Sequence, residues 1–396
     1  MSPPGNNSLG KQVQMRGMIG NPGALFIIDW HKNTPRGIFM QVSILQGAGC
    51  PPAFSVYYLI DGMPDTLFDN GGQFMKLSVV TPLWQDRPAA ENMEVARNAD
   101  RLGYDELWIG EMATYDAFSF ATAAGLKTQQ IGLTIGPLSV SVRTPMTMAM
   151  GLASVADLTG RAARLALGAS SVVVVEEWHG RERLRTATHL SESARILRGL
   201  LDGEKVDFEG ELASCKGYRL RLDAPGTPLT IAAFTPAAVR VAARHADRML
   251  LNMVTPQSLA ILRQQLDAAA ADAGRPAPTL AVWLCCAIDP GRETLDQLLR
   301  AVVGYLAAPG YADMISAAGF GDLVTLARSR PHPRDLLAAM PDELMSAIGL
   351  VGSATQIAER MDKYRSAGAD EICLVPATAT DPGGLKSLQA MRKLGD

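Results

Sequence analysis

From residue 75 onward, apolar runs of strand length alternate with stretches of helical periodicity, and this alternation limits the possible folds more than any other feature. Runs with no inside–outside alternation belong to strands covered on both faces, the usual condition of a parallel sheet wrapped by helices. They fall at 76–83, 105–109, 131–139, 162–167, 229–233, 248–251, 280–288 and 371–375. Helical spacing marks 88–102, 143–158, 190–201, 237–245, 257–273, 294–307, 354–367 and 382–394. Eight strands alternating with helices over roughly 320 residues predict an α/β chain, a parallel (β/α)8 TIM barrel. Insertions are expected after strand four, where 202–223 has room for a hairpin, and after strand seven, where 309–350 holds short helical pieces. A doubly wound open sheet is the alternative, but the first strand–helix turn lacks a Gly-rich phosphate loop, and so does Leu165-Ala166-Leu167-Gly168-Ala169-Ser170.

Residues 1–74 break this rhythm. They are rich in Gly, Pro and Asn, with isolated apolar patches at 24–28 and 54–60, and predict an irregular extension preceding a barrel at 75–396. Phe39-Met40-Gln41-Val42-Ser43 and Val56-Tyr57-Tyr58-Leu59-Ile60-Asp61-Gly62 resemble the opening strands of mycolyltransferase-type esterases, yet no nucleophile elbow follows, so a hydrolase is unsupported. The expectation is that Met75 is the natural start and the leader is appended or spurious.

Composition narrows the partners. A formal charge of −3 gives no basic footprint for nucleic acid or an anionic membrane. No apolar run approaches the roughly 18 residues of a membrane span, and no signal-peptide pattern opens the chain. Five cysteines form an odd set with no zinc-type spacing, so no metal is expected and a reducing cytoplasm is the simplest setting.

In β/α barrels the chemistry sits at the carboxyl ends of the strands. The fourth run ends in Gly168-Ala169-Ser170-Ser171, small enough to admit a planar ligand, and leads to Trp178-His179-Gly180 and Arg181, Arg183 and Arg185. His179 is a candidate for substrate contact or proton transfer, or a structural histidine. Glu111 leaves the second strand as a ligand contact, an acid/base, or a carboxylate capping the next helix. Ala233-Phe234-Thr235-Pro236 opens a helix whose free N–H groups offer a phosphate seat; the alternative is a capped loop without a ligand.

Leu102-Gly103-Tyr104-Asp105-Glu106-Leu107-Trp108-Ile109-Gly110-Glu111, Arg143-Thr144-Pro145, the 167–171 stretch with Trp178-His179-Gly180, Leu350-Val351-Gly352-Ser353-Ala354 and Ala367-Gly368-Ala369-Asp370-Glu371-Ile372 together resemble the bacterial luciferase-like superfamily of flavin- and deazaflavin-dependent oxidoreductases. Within it the chain is most similar to members that use coenzyme F420, an 8-hydroxy-5-deazaflavin. The resemblance implies hydride transfer between F420 and a small organic substrate, a homodimer, and a separate F420-reducing enzyme. Its alternatives are an FMN-dependent monooxygenase fed by a flavin reductase and a non-catalytic cofactor-binding protein. It implies a cis peptide at Gly136-Pro137 behind the cofactor ring, against an ordinary trans strand end. It points Ser170 and Ser171 to the ring carbonyls or ribityl chain, the alternative being that they merely terminate a strand, Ala233, Phe234 and Thr235 to a phosphate turn in which Phe234 replaces a glycine, and Asn252 to a phosphate contact. Met112 stands where the family's sugar-phosphate dehydrogenases carry a catalytic histidine, which argues against their substrate.

Overall fold

The computed structural model describes residues 75–395 except Leu83 and Pro225, together with the backbone of Gln12–Val13, Ala24–Thr34, Gly37–Gln46 and Phe54–Ile60. The chain divides into two compact units, Met1–Gln73 and Phe74–Asp396. In the first, the four strands pair antiparallel in sequence order. The esterase-like segments fall on the last two of these strands, except Asp61 and Gly62, which lie outside the described residues.

The second unit is the barrel. Its strands are β1 (Lys76–Val80), β2 (Glu106–Ile109), β3 (Gly132–Ser139), β4 (Ala163–Gly168), β5 (Leu229–Ala232), β6 (Arg248–Asn252), β7 (Thr279–Ile288) and β8 (Glu371–Pro376). Each pairs in parallel with the next, and β8 pairs with β1, closing the sheet. The helices are α1 (Glu91–Arg101), α2 (Ala117–Lys127), α3 (Pro145–Thr159), α4 (Thr186–Leu201), α5 (Pro236–His245), α6 (Pro256–Asp272), α7 (Arg292–Val302), α8 (Ala354–Ser366) and α9 (Leu385–Gly395). No helix among the described residues is long and apolar enough to cross a membrane.

Period-two alternation sorts each strand into an outer and an inner face. Outer residues such as Leu77, Leu107, Ile135, Leu165, Ile231 and Leu280 are fully buried against the helices, each contributing about 1.5–3 kcal/mol of burial. The inner face changes along the axis. At the amino ends it carries Glu106, Arg248 and Glu371; midway it carries Val80, Trp108, Ala166, Leu250, Ala281 and Cys373 in a separate apolar cluster. At the carboxyl ends it carries Gly168, Ala232, Asn252 and Trp283.

Three Thr-Pro pairs start helices. Thr144, Thr235 and Thr255 each accept a hydrogen bond from the backbone N–H three residues on, while Pro145, Pro236 and Pro256 occupy the first helical turn. Helix α2, which the apolar-run reading passes over, buries Ala117, Phe120, Ala121, Ala124 and Gly125. This stripe of mostly small residues lets it approach α3 closely: a Cβ on Gly125 would stand 2.8 Å from Thr159 Cγ2.

Between β4 and β5 the expected hairpin forms from Lys205–Glu209 and Ser214–Arg219. The Glu192 carboxylate holds its turn by accepting from the N–H groups of Glu211, Leu212 and Ala213, each at 2.8 Å. Between β7 and β8 run α7, several short helices and the three-residue strand Leu350–Gly352, which pairs with the end of β7.

Candidate active site

The barrel mouth has two unlike halves. On β3 the Gly136–Pro137 peptide is cis, and the β3–β4 register shifts between Ile135 and Leu138. Only glycine fits at 136: φ is 118°, and a Cβ would lie 2.2 Å from Ala166 O. A Cβ on Gly168 would lie 3.1 Å from Pro137 Cβ and 3.8 Å from Ala232 Cβ. Pro137, Gly168 and Ala232 therefore make a low, flat wall across β3, β4 and β5.

Across the axis, at the ends of β6, β7, β8 and β1, lies a cavity of about 420 Å3. Val80, Met112, Met253, Cys285 and Val375 supply much of its apolar surface, and Thr81, Gln85, Asn252, Trp283, Gln297 and Tyr305 its uncharged polar groups. Burial pushes the Cys285 thiol up to about 12, so that side chain is uncharged. At the rim Arg300 pairs with Asp86 at 2.8 Å, both half exposed. Trp84, also lining the cavity, donates to Pro376 O at 2.9 Å.

Of the site residues expected from sequence, Gly136 and Pro137 lie within β3, Glu111, Ser170, Ser171, Ala233, Phe234 and Thr235 follow β2, β4 and β5, His179 lies beyond the turn after β4, and only Asn252, at the end of β6, lines the cavity. The Glu111 carboxylate accepts from Arg143 Nε at 2.8 Å, from Arg143 Nη2, and from the Ala117 N–H at the start of α2 at 3.2 Å. Hydrogen bonds from Arg143 to Glu111 and Asp116 hold its guanidinium above the usual range despite partial burial. Glu111 is thus built into a helix-capping ion pair. Ser171 caps a π-helical turn, Val173–Trp178, its hydroxyl accepting from Val174 N at 3.2 Å. Ser170 adopts φ 56° and its carbonyl accepts from Arg183 Nε at 3.0 Å. His179 follows the turn and is exposed.

Ala233 is buried behind the start of α5, and the Thr235 hydroxyl accepts from Ala238 N. Phe234 is stacked on Tyr311 at 4.7 Å, and Tyr311 meets Tyr305 at 4.9 Å. Burial raises both phenols above their ordinary range, and the neighbouring Asn252 side chain opposes that shift in part. The segment after β7 therefore reaches over to the ends of β5 and β6.

Trp283 and Gln297 escaped the sequence reading because each lies within a run taken as core. The signal was present for Gln297: it is a polar residue on the buried stripe of α7 with Thr294, Leu298 and Val302.

A model of the luciferase-like monooxygenase family matches residues 72–371. The chain belongs to that family. The 5,10-methylenetetrahydromethanopterin reductase of Archaeoglobus fulgidus is 24% identical over 310 residues, 74% of this chain and 91% of the relative. The F420-dependent tetrahydromethanopterin reductase of Methanopyrus kandleri shares the fold, with a TM-score of 0.70 at 16% identity over 80% of this chain and 98% of its own. The oxygenating constituent of 3,6-diketocamphane monooxygenase from Pseudomonas putida, solved with FMN, has a TM-score of 0.58 at 19% identity, over 81% and 97%. Solved proteins named for F420 and for FMN thus share this fold.

Proposed function

We propose that the protein is an oxidoreductase that moves a hydride between coenzyme F420 and a small organic substrate. The observation that carries this reading is the close approach of Gly168 to Pro137 and Ala232 at the mouth, where any side chain at 168 would crowd the wall they form. The similarity to F420-dependent reductases supports the choice of cofactor. When bound, the deazaflavin supplies a ring carbon that accepts or gives the hydride.

The chain's own residues have separate tasks in this reading. Pro137 and Gly168 would line the place of the ring, and the cavity across the axis would be left for the substrate. Ser170 and Ser171 offer hydroxyls at the exit of β4. Ala233, Phe234 and Thr235, with the start of α5, would receive the phosphate tail, favoured by the helix dipole. Glu111, already accepting three hydrogen bonds, acts as a positioning residue for Arg143 and α2. His179 does not line the cavity, so it meets substrate only if 171–185 folds over the mouth.

The test is parallel titration of the purified full chain with F420 and with FMN, following absorbance and flavin fluorescence, repeated with Gly168→Val. The expected outcome is saturable F420 binding that weakens at least tenfold in the variant. Tight FMN binding with no response to F420 would replace this reading with the monooxygenase one, which the FMN-bound neighbour favours. Binding unaffected by Gly168→Val would remove the wall from the site.

A further inference from the structure

We infer that the cavity is a site for a neutral, largely apolar molecule carrying a carbonyl oxygen, with the unpartnered Trp283 Nε1–H and Gln297 Nε2–H of its lining as the donors that select it. The inference rests on the reading above only in calling this molecule the substrate. It makes Trp283 and Gln297 specificity-determining residues.

Gln297 is 1% exposed, and its Oε1 accepts from the N–H groups of Thr378 at 2.9 Å and Ala379 at 3.1 Å. Those two bonds decide the orientation of the amide, because exchanging O and N would set donor against donor. Its Nε2 is consequently turned away from that loop, and it has no acceptor in the protein. Trp283 is 9% exposed, and its Nε1 is likewise buried without an acceptor. Both side chains line the same cavity. Leaving one buried donor unpaired is costly, and two beside one cavity mark the place where an acceptor is missing.

The charge of that acceptor follows from the remaining lining. Arg300, the lining cation among the described residues, is paired with Asp86 at the rim, and the Cys285 thiol is uncharged. A carboxylate or phosphate drawn into the cavity would lose its hydration without gaining a counter-ion. Two neutral donors suit a ketone, aldehyde or amide oxygen, and Val80, Met112 and Val375 suit an apolar body attached to it.

The experiment uses the cofactor-free full chain labelled with 15N, with cyclohexanone, cyclohexanecarboxylate and methylcyclohexane as probes. The indole N–H resonance of Trp283 is identified by its loss in Trp283→Phe. Cyclohexanone is expected to shift that resonance downfield, saturably, while the other two leave it in place. Gln297→Glu keeps an acceptor for Thr378 and Ala379 but removes the second donor, and is expected to weaken cyclohexanone binding at least tenfold. An unmoved Trp283 resonance, an equal response to the carboxylate, or unchanged binding in Gln297→Glu overturns the inference. Because no cofactor is present, its failure is separate from a failure of F420 binding: a chain that binds cyclohexanone but not F420 keeps this site and loses the function proposed above.

Discussion

The two ends of the barrel interior treat buried polar groups in opposite ways. At the amino end Arg248 donates to Glu106 Oε1 at 2.8 Å, to Glu371 Oε2 at 2.6 Å and to Thr230 Oγ1 at 3.1 Å, with its guanidinium 4.2 Å above the Trp108 ring. Lys76 and Thr134 also reach Glu106, and Ser78 and Trp108 reach Glu371. Burial alone would raise the Glu106 carboxyl; Arg248, Lys76 and Arg164 outweigh it and hold the group below its usual range. At the carboxyl end, Trp283 Nε1 and Gln297 Nε2 are buried with no acceptor at all. One end is a closed electrostatic plug and the other a set of unmet hydrogen bonds. Stability and function are thereby separated along one axis, as expected where chemistry is confined to the strand carboxyl ends.

The strongest way to break this contrast is Arg248→Met. It leaves the buried Glu106 and Glu371 without their main counter-charge, and a loss of about 3–5 kcal/mol is expected. Urea denaturation of the full chain followed by circular dichroism measures it. A loss under about 1 kcal/mol would mean that Lys76 and Arg164 carry the plug without Arg248. At the mouth the sign reverses. Trp283→Phe removes a donor that has no partner, so stability is expected to hold within about 1 kcal/mol or to rise. A fall of several kcal/mol would show that Nε1 is satisfied in solution.

Glu111→Gln probes the boundary between the two regimes, because Glu111 and Arg143 are each 22% exposed. Its stability cost is expected to be at most about 1 kcal/mol. With a positioning role, steady-state turnover changes by only a few fold; a fall of roughly a hundredfold or more with KM unchanged would make Glu111 a proton-transfer residue.

What sequence made legible follows the same division. The outer strand faces are continuous aliphatic rows, so strand positions emerge to within a few residues; β1, for example, ends at Val80 rather than running to 83. The plug left a repeated trace that an apolar-run reading overlooks: Asp105-Glu106, Asp247-Arg248 and Asp370-Glu371 begin β2, β6 and β8. In each pair the aspartate accepts from the first or second N–H of a neighbouring strand, at Leu77, Leu229 and Leu280, while the next residue points inward to the plug. Helix α2 was hidden by its Ala, Thr and Gly content, and the π-helical turn has no sequence signature. The cis bond at Gly136–Pro137 matches the one the resemblance implied. The commitment of Glu111 to Arg143, 32 residues away, and the stacking of Phe234 on Tyr311 depend on distant partners, which no local pattern encodes.

The smallest expected effect sharpens the contrast by asking where pH sensitivity resides. The plug has none near neutrality, because Glu106 is held low and Arg248 high. The outer shell contains His189 and His245, both lowered mainly by burial; Arg195, Arg275 and Arg244 lower His245 further, while Glu192 partly opposes the shift of His189. Each is held neutral in the fold more firmly than in the unfolded chain, whose histidines titrate near about 6.5. Below that value the unfolded state binds more protons, so this stability is present above about pH 6.5 and is lost as pH falls through the lowered folded values. His245→Gln is expected to flatten the decline in urea midpoint between about pH 7 and pH 5, with Gln offering the Ser191 hydroxyl a partner in place of His245 Nε2 at 3.0 Å. An undiminished slope in the variant would assign the acid sensitivity to His189 or to carboxylates of the shell.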